Sequence, residues 1–476
     1  MWYNQGSTLD VFLLARRKGK SIMPSTKVLL SLLILATLAA PAAAVADWVQ
    51  SHKLTDDDGA ARDYFGNSVA ISGNTAIVGA VEDDDNGDRS GSAYLFDVAS
   101  GVQLAKLTAV DGAAMDLFGG SVAVSGNTAI LGAQGDDDNG HQSGSAYLFD
   151  AASGLQLAKL IAADGSRHDF FGYSVAVSGN TAIVGAHGDD DNGSRSGSAY
   201  LFDITSGLQL AKLTADDGAA YDEFGWSVGI SGNTAIVGQY YDDHQGGSGS
   251  AYLFDVASGR QVAKLTADDG AEDDLFGQSV AISGNTAIVG AYLDDDNGYN
   301  SGSAYLFDVA SGRQLAKLTA ADGAARDWFG YSVAVAGNTA IVGAYGDDNK
   351  AGSAYLFDVT SGLQLAKLTA ADGAVDDRFG DCVAISGNTA IVGAPYDADN
   401  GSMSGSAYLF VIPEPSAWLM LCSLLSALSV TWWWRRKRVI GLQLASQVAS
   451  VSSRRSIDRV RVESDEASES ITFAAA

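Results

Sequence analysis

The 476-residue chain is short of cysteine, proline and positive charge. Its two cysteines, Cys382 and Cys422, sit in segments of different character, so neither a disulfide framework nor a cysteine-based zinc site can be read. Five prolines against 56 glycines suit tight turns between strands better than an extended linker. Lys and Arg number 29 against 57 Asp and Glu, a net charge of −28. That balance excludes nucleic acid as a partner, because phosphates are gripped by Lys and Arg. It favours solubility and the attraction of cations. Helical periodicity is missing from the central part of the chain, and apolar residues, at 47 %, are plentiful enough for a large core.

The two ends differ from the middle. From Met23 the sequence reads as a secretory leader: Lys27 supplies a positive start, residues 28–40 an apolar stretch, and Ala44-Val45-Ala46 a small-residue cleavage site. Residues 1–46 are therefore assigned as a signal peptide, with Met23 as the expected true start. At the other end, Pro413-Glu414-Pro415 precedes an apolar run over 417–434 and a basic cluster that includes Arg435 and Arg436. The run is near the shortest length that spans a bilayer as a helix. This order of elements resembles a PEP-CTERM sorting signal (residues 412–438). The resemblance implies a C-terminal membrane helix, transient or permanent, and an exosortase-type sorting enzyme as partner. Such signals end at the basic cluster, whereas here a polar tail over 439–476 follows, read as disordered.

Between the ends the chain repeats. Phe-Gly recurs at 65, 118, 171, 224, 276, 329 and 379, a period of 50 to 53 residues. Periods of that size belong to propellers and solenoids. Each unit holds four strand candidates, as in SVAIS (68–72), TAIVGA (75–80), SAYLF (92–96) and QLAKLTA (103–109). Gly73-Asn74 supplies a two-residue hairpin turn between the first two. The fourth strand carries a lysine in every copy (Lys53, Lys106, Lys159, Lys212, Lys264, Lys317, Lys367), where a charge guards an outer edge against pairing. Four antiparallel strands seven times over predict an all-β, seven-bladed β-propeller. An open β-solenoid is the alternative. Closure is favoured because the last unit ends at 406–410 without a fourth strand, while the chain begins with an orphan one, residues 50–55.

Phe65-Gly66 followed by Gly79-Ala80, and so on to Phe379-Gly380 with Gly393-Ala394-Pro395, resembles the FG-GAP repeat of the integrin α-subunit propeller. The resemblance covers residues 47–411 and implies one propeller domain at a cell surface. It also implies a family calcium site in the loop between strands 1 and 2, but here that loop is Gly-Asn and offers no carboxylate.

The acid lies elsewhere. The loop between strands 2 and 3 reads DDDNG at Asp83, Asp136, Asp189 and Asp294, and the loop from strand 4 into the next blade reads DGxxxDxFG. Both should emerge on one face, leaving the other plain. The spacing fails the EF-hand pattern. Ca²⁺ in another geometry is the one cofactor these loops could take, with Asp83, Asp85, Asp136, Asp138, Asp189, Asp191, Asp294, Asp296, Asp397 and Asp399 as candidate ligands. The competing reading makes them turn formers on a solvated surface. The Asp of D-x-F-G, present in all seven copies, reads as a turn cap.

Positions that differ among copies show where a ligand could be selected. The residue after Phe-Gly includes Tyr173, Trp226 and Tyr331, and the residue after Gly-Ala or Gly-Gln includes His187, Tyr240, Tyr292 and Tyr345. Aromatic rings beside carboxylates suit sugar stacking or a peptide grip, with simple drift at surface positions as the competing reading. His141, His187 and His244 fall in successive loops at different offsets, which disfavours a metal cluster. No nucleophile-base-acid set stands out, so catalysis is not expected. The sequence therefore predicts an exported, non-enzymatic propeller at the cell envelope that adheres to, or binds, a protein or glycan through its acidic face. An envelope polysaccharide-acting enzyme and a structural matrix component are the alternatives.

Overall fold

A computed structural model of the chain describes residues 48–242 and 247–412. The leader, Pro413, Glu414, Pro415, Arg435, Arg436, the tail and His244 lie outside these residues. Among the described residues no helix is long and apolar enough to cross a membrane.

The described residues form twenty-eight strands in seven four-stranded antiparallel sheets. In the first complete blade β2 (Phe65–Ser72), β3 (Thr75–Ala80), β4 (Ser92–Asp97) and β5 (Gln103–Leu107) lie in chain order. The expected hairpin is present: Ser72 faces Thr75 across Gly73-Asn74, and Gly73 has φ +59° with open space around it. The turn after β4 is tied to that hairpin. Asp97 accepts from Ser100 N and Oγ at 2.9 and 2.6 Å, and Asn74 Nδ2 also bonds Asp97. The plain face is thus made of short turns that satisfy one another.

The last blade closes as the orphan strand predicted. β1 (Val49–Leu54) pairs antiparallel with β28 (Ser406–Val411), in the order β1-β28-β27-β26, where β26 is Val383–Ser386 and β27 Thr389–Ala394. Pairing removes two free edges that would otherwise template aggregation.

Core packing runs between blades. Ile77 and Leu95 of one blade join Phe118, Leu131 and Tyr147 of the next in one buried cluster, and Ile391 and Leu409 of the last blade join Phe65, Val78 and Tyr94 of the first. Each fully buried side chain of this kind contributes about 1.5–3 kcal/mol. Within each blade the Phe of Phe-Gly sits edge-on to the Tyr and Phe of the third strand, as Phe65 does to Tyr94 (5.5 Å) and Phe96 (5.9 Å). The glycine after it lets neighbours meet: Gly119 has φ +80°, and a Cβ there would lie 2.3 Å from Ser92 O. Its carbonyl accepts Ser68 Oγ of the preceding blade at 2.7 Å. The same bond recurs from Ser121, Ser174, Ser227 and Ser279, Ser332 Oγ instead accepts Val383 N at 3.1 Å, and the series ends with Cys382 Sγ at 3.1 Å from Gly66 O.

Candidate functional site

The fourth-strand lysines do not point outward as edge guards. Lys159 Nζ lies 2.8 Å from both Asp111 and Asp136 and 2.6 Å from Asp138, with the lysine side chain 18 % exposed. Tyr147, wholly buried, donates its hydroxyl to Asp136 at 2.9 Å, and Lys159 Nζ stands 5.2 Å from its ring centre. The pattern repeats from Lys53 with Asp372, Asp397 and Asp399 to Lys317 with Asp269, Asp294 and Asp296. Burial works against each ammonium, yet the aspartate hydrogen bonds hold its pKa above the usual lysine range. Burial would likewise raise Asp111 and Asp164, but Lys159 and Lys212 outweigh it and hold both carboxyls below their ordinary range. Outer-edge protection comes instead from a bulge, present at the same place in all seven blades, as between Leu95 and Phe96 opposite β5 and between Leu409 and Phe410 opposite β1.

This lysine contact also shows that the two acidic loops share one face, since one ammonium touches carboxylates from both. Asp111, Asp136 and Asp138, and equally Asp164, Asp189 and Asp191, converge closely enough to hold a metal ion. The protein fills that space with its own cation. Asp136 and its equivalents are buried, while Asp138 and Asp191 are exposed and complete a turn through their backbone amides, as Asp138 N does with Asp136 Oδ1 at 3.0 Å. The turn-forming role of these residues is thus realised together with ion pairing. The Asp of D-x-F-G caps its turn: Asp116 Oδ2 accepts Ala113 N at 2.7 Å, and the bond recurs in the other copies. Burial raises Asp116 and Asp169 to about 6.

The inner strands neighbour one another around the ring, which carries the residue after Phe-Gly to the axial mouth. There the aromatic residues meet in two arcs. In one, Tyr173 lies 4.4 Å from His187 and 4.5 Å from Trp226, and Trp226 lies 4.4 Å from Tyr240. In the other, Tyr331 lies 5.4 Å from Tyr292 and 4.6 Å from Tyr345. Tyr331 lies near enough to Asp381 for the carboxylate to act on it electrostatically. Burial pushes His187 down to about 4, so the imidazole is neutral at pH 7. Burial pushes Asp381 up to about 7 despite the nearby Arg378. A groove of ≈ 650 Å³ lies farther out on the same face, lined among others by Asp269, Glu272, Asp273, Asp294 and Tyr299.

The FG-GAP repeat model matches seven segments, residues 48–96, 102–149, 155–202, 208–254, 260–307, 313–357 and 363–410, well over half of the chain. The chain belongs to the FG-GAP repeat family. Comparison with curated proteins returns no match. Each FG-GAP segment begins in the fourth strand of one blade and ends in the third strand of the next, so repeat and blade are one strand out of phase.

In this FG-GAP protein all seven aromatic and histidine candidates gather at the axial mouth, while the aspartate candidates form a separate outer ring on the same face. One set of residues was missed in the sequence. The residue before Phe-Gly, which is Tyr64, Phe170, Glu223, Trp328 and Arg378 in five copies, adopts positive φ between +53° and +57°. The conformation turns it toward the axial residues. Trp328 stacks on Tyr345 at 4.9 Å, Phe170 on His187 at 5.1 Å, and Arg378 covers Tyr396 at 3.8 Å. Left-handed backbone costs a non-glycine residue about 1–2 kcal/mol, so this face carries strain that the plain face avoids. Variation among copies was the signal that could have found these residues. His141 does not join His187; its ring lies 5.2 Å from His168.

Proposed function

We propose that this FG-GAP propeller is an exported, non-enzymatic binding module that takes a glycan at its axial mouth. The observation that carries the reading is convergence: positions that vary among near-identical copies come together, and in blades three to six they are predominantly aromatic. Aromatic faces supply apolar platforms for sugar rings, and Glu223 and Asp381 beside them offer acceptors for hydroxyls. The rim carboxylates that a hydrolase would need free are instead engaged by lysine in each blade. Several weak contacts on one face would act together at a surface.

The test is a glycan array probed with wild type and with Trp226→Ala. Retention of a sugar class by wild type and its loss in the variant supports the reading, and a blank array for wild type removes it. Peptide binding in its place would reassign the ligand, and turnover of a bound sugar would make the protein an enzyme. Export rests on the leader and the PEP-CTERM-like segment, with delivery to the envelope and an exosortase-type enzyme as the processing partner. Mass spectrometry of the envelope protein tests this, with a mature N-terminus at Asp47 as the expected result.

A further inference from the structure

We propose that the rim of the first and second complete blades is a contact surface for a second copy of this chain. Exposed large apolar side chains are concentrated on the outermost strands and their flanking turns. Their densest set is Val102, Leu104 and Val110 around β5 with Leu155, Leu157 and Ile161 around β9 (Leu155–Leu160). Val110 is 86 % exposed and Leu155 65 %, so neither belongs to the core. The two outer strands touch: Val110 N donates to Gln156 Oε1 at 3.0 Å, and a Cβ on Gly154 would stand 3.2 Å from Ala105 Cβ. The six side chains therefore share one stretch of rim. Contiguous exposed apolar surface, unlike single exposed residues, marks a binding surface.

Other blades show that folding does not require this apolar character. Arg260 and Arg313 stand where Val102 and Leu155 stand, opposite Asp255 and Asp308 of the adjacent strand. Asp216 and Asp268 replace Val110, and threonine replaces Ile161 in all six other copies. The occupant follows from where the chain leaves the ring. β1 and β28 run side by side, with Val49 facing Val411 at the plain-face end. This blade adjoins the first one, since a Cβ on Gly101 would lie 2.5 Å from the His52 ring. The leader and the segment read as a membrane anchor are thus joined to the ring at one place, beside the patch. The inference rests on that reading of the anchor. Copies tethered there in one membrane stand with the same face up and their rims level. Their apolar stretches meet about a two-fold axis parallel to the propeller axis, an isologous contact. The bulge on the outer strands disfavours strand addition, which leaves side chains to make the contact. Lipid fits less well. Asp97 and Asp150 lie at the same end of these blades, and hydrogen bonds from Ser100 and Ser153 hold both carboxyls below their ordinary range, so charge would have to enter the bilayer.

The experiment is sedimentation equilibrium of the full chain in a mild non-ionic detergent. Wild type should form a concentration-dependent dimer. The combined variant Val102→Arg, Val110→Asp, Leu155→Arg and Ile161→Thr carries only residues that other blades carry at those positions. It should therefore fold, which its melting curve checks. Its dimer should be weaker on the order of 100-fold, as for loss of the central contacts of an interface. Leu363→Arg, at the same rim position in the sixth blade, should leave the dimer as in wild type. A monomeric wild type overturns the proposal and leaves the patch to lipid or another protein. Undiminished dimerisation of the combined variant overturns it too, as does an equal loss in Leu363→Arg. None of the substituted residues belongs to the axial mouth, so a glycan array blank for wild type leaves this result untouched. Release of the chain from the envelope would count against the anchor, and a monomer against the rim contact, so the readings fail separately.

Discussion

At the rim, Lys159 meets Asp111 and Asp136 at 2.8 Å each, and Lys317 meets Asp269 and Asp294 at the same distances. At the axial mouth, the place of Trp226 in one blade is taken by Gly120 in another and by Asp381 in a third. Both regions belong to one face and are built from the same repeat. The rim is constant because buried carboxylate, lysine and tyrosine satisfy one another, and removal of any one leaves the others exposed to the cost of burial. The axial residues share no such arrangement repeated in every blade. They are free to differ, and their differences are where recognition can reside.

The largest expected effect comes from removing the clasp that both regions depend on. Deletion of Val49–Leu54 uncovers β28 and takes Lys53 from Asp372, Asp397 and Asp399. The cooperative melting transition should disappear in scanning calorimetry, and a variant that melts like wild type would show that the ring stands without its clasp.

Next in size is the rim. Lys159→Met leaves Asp136, almost wholly buried, without its cation. The cost should be about 3 kcal/mol in urea unfolding. Asp138→Asn touches the same lysine from an exposed carboxylate and should cost less than about 1 kcal/mol. Equal losses would mean that the rim triad acts as a surface ion pair.

Proton linkage separates the regions more finely. Asp116 and Asp169 are raised to about 6 and Asp381 to about 7, against roughly 4 in an unfolded chain. Between those values the folded state holds more protons than the unfolded one, so their contribution declines as pH rises from about 4 to about 7. His187, held down at about 4, acts in the opposite sense below about 6.5. Three carboxyls outweigh one imidazole, so the melting temperature should be higher at about pH 5 than at about pH 7.5. Below about pH 4 the carboxyls held low by lysine, such as Asp111 and Asp164, take up protons and stability falls. A flat profile between about pH 5 and 7.5 would contradict the burial of these acids.

A small effect on the fold should also follow Trp226→Ala. Its ring packs on Tyr173 and Tyr240 but is half-buried, so a loss of about 1 kcal/mol is expected. A loss as large as that of Lys159→Met would make the axial aromatics part of the core.

Much of the fold was legible because the period, the turn glycines and the orphan strand each constrain it independently. The axial cluster was legible because copies can be compared within one chain. The lysine partners were not, since alternation along a strand tells which side a residue takes and not what waits across the loop. Tyr64, Phe170, Trp328 and Arg378 were missed because positive φ redirects them, and aromatic or arginine residues do not announce that conformation.

The one-strand offset between repeat and blade has a consequence for how such a chain can evolve. Each repeat delivers the outer strand of one blade and the inner three of the next. Duplication or loss of a whole repeat by unequal recombination would leave every blade with four strands and the clasp between the first and last segments unchanged. Ring size can thus drift in whole units while closure is inherited.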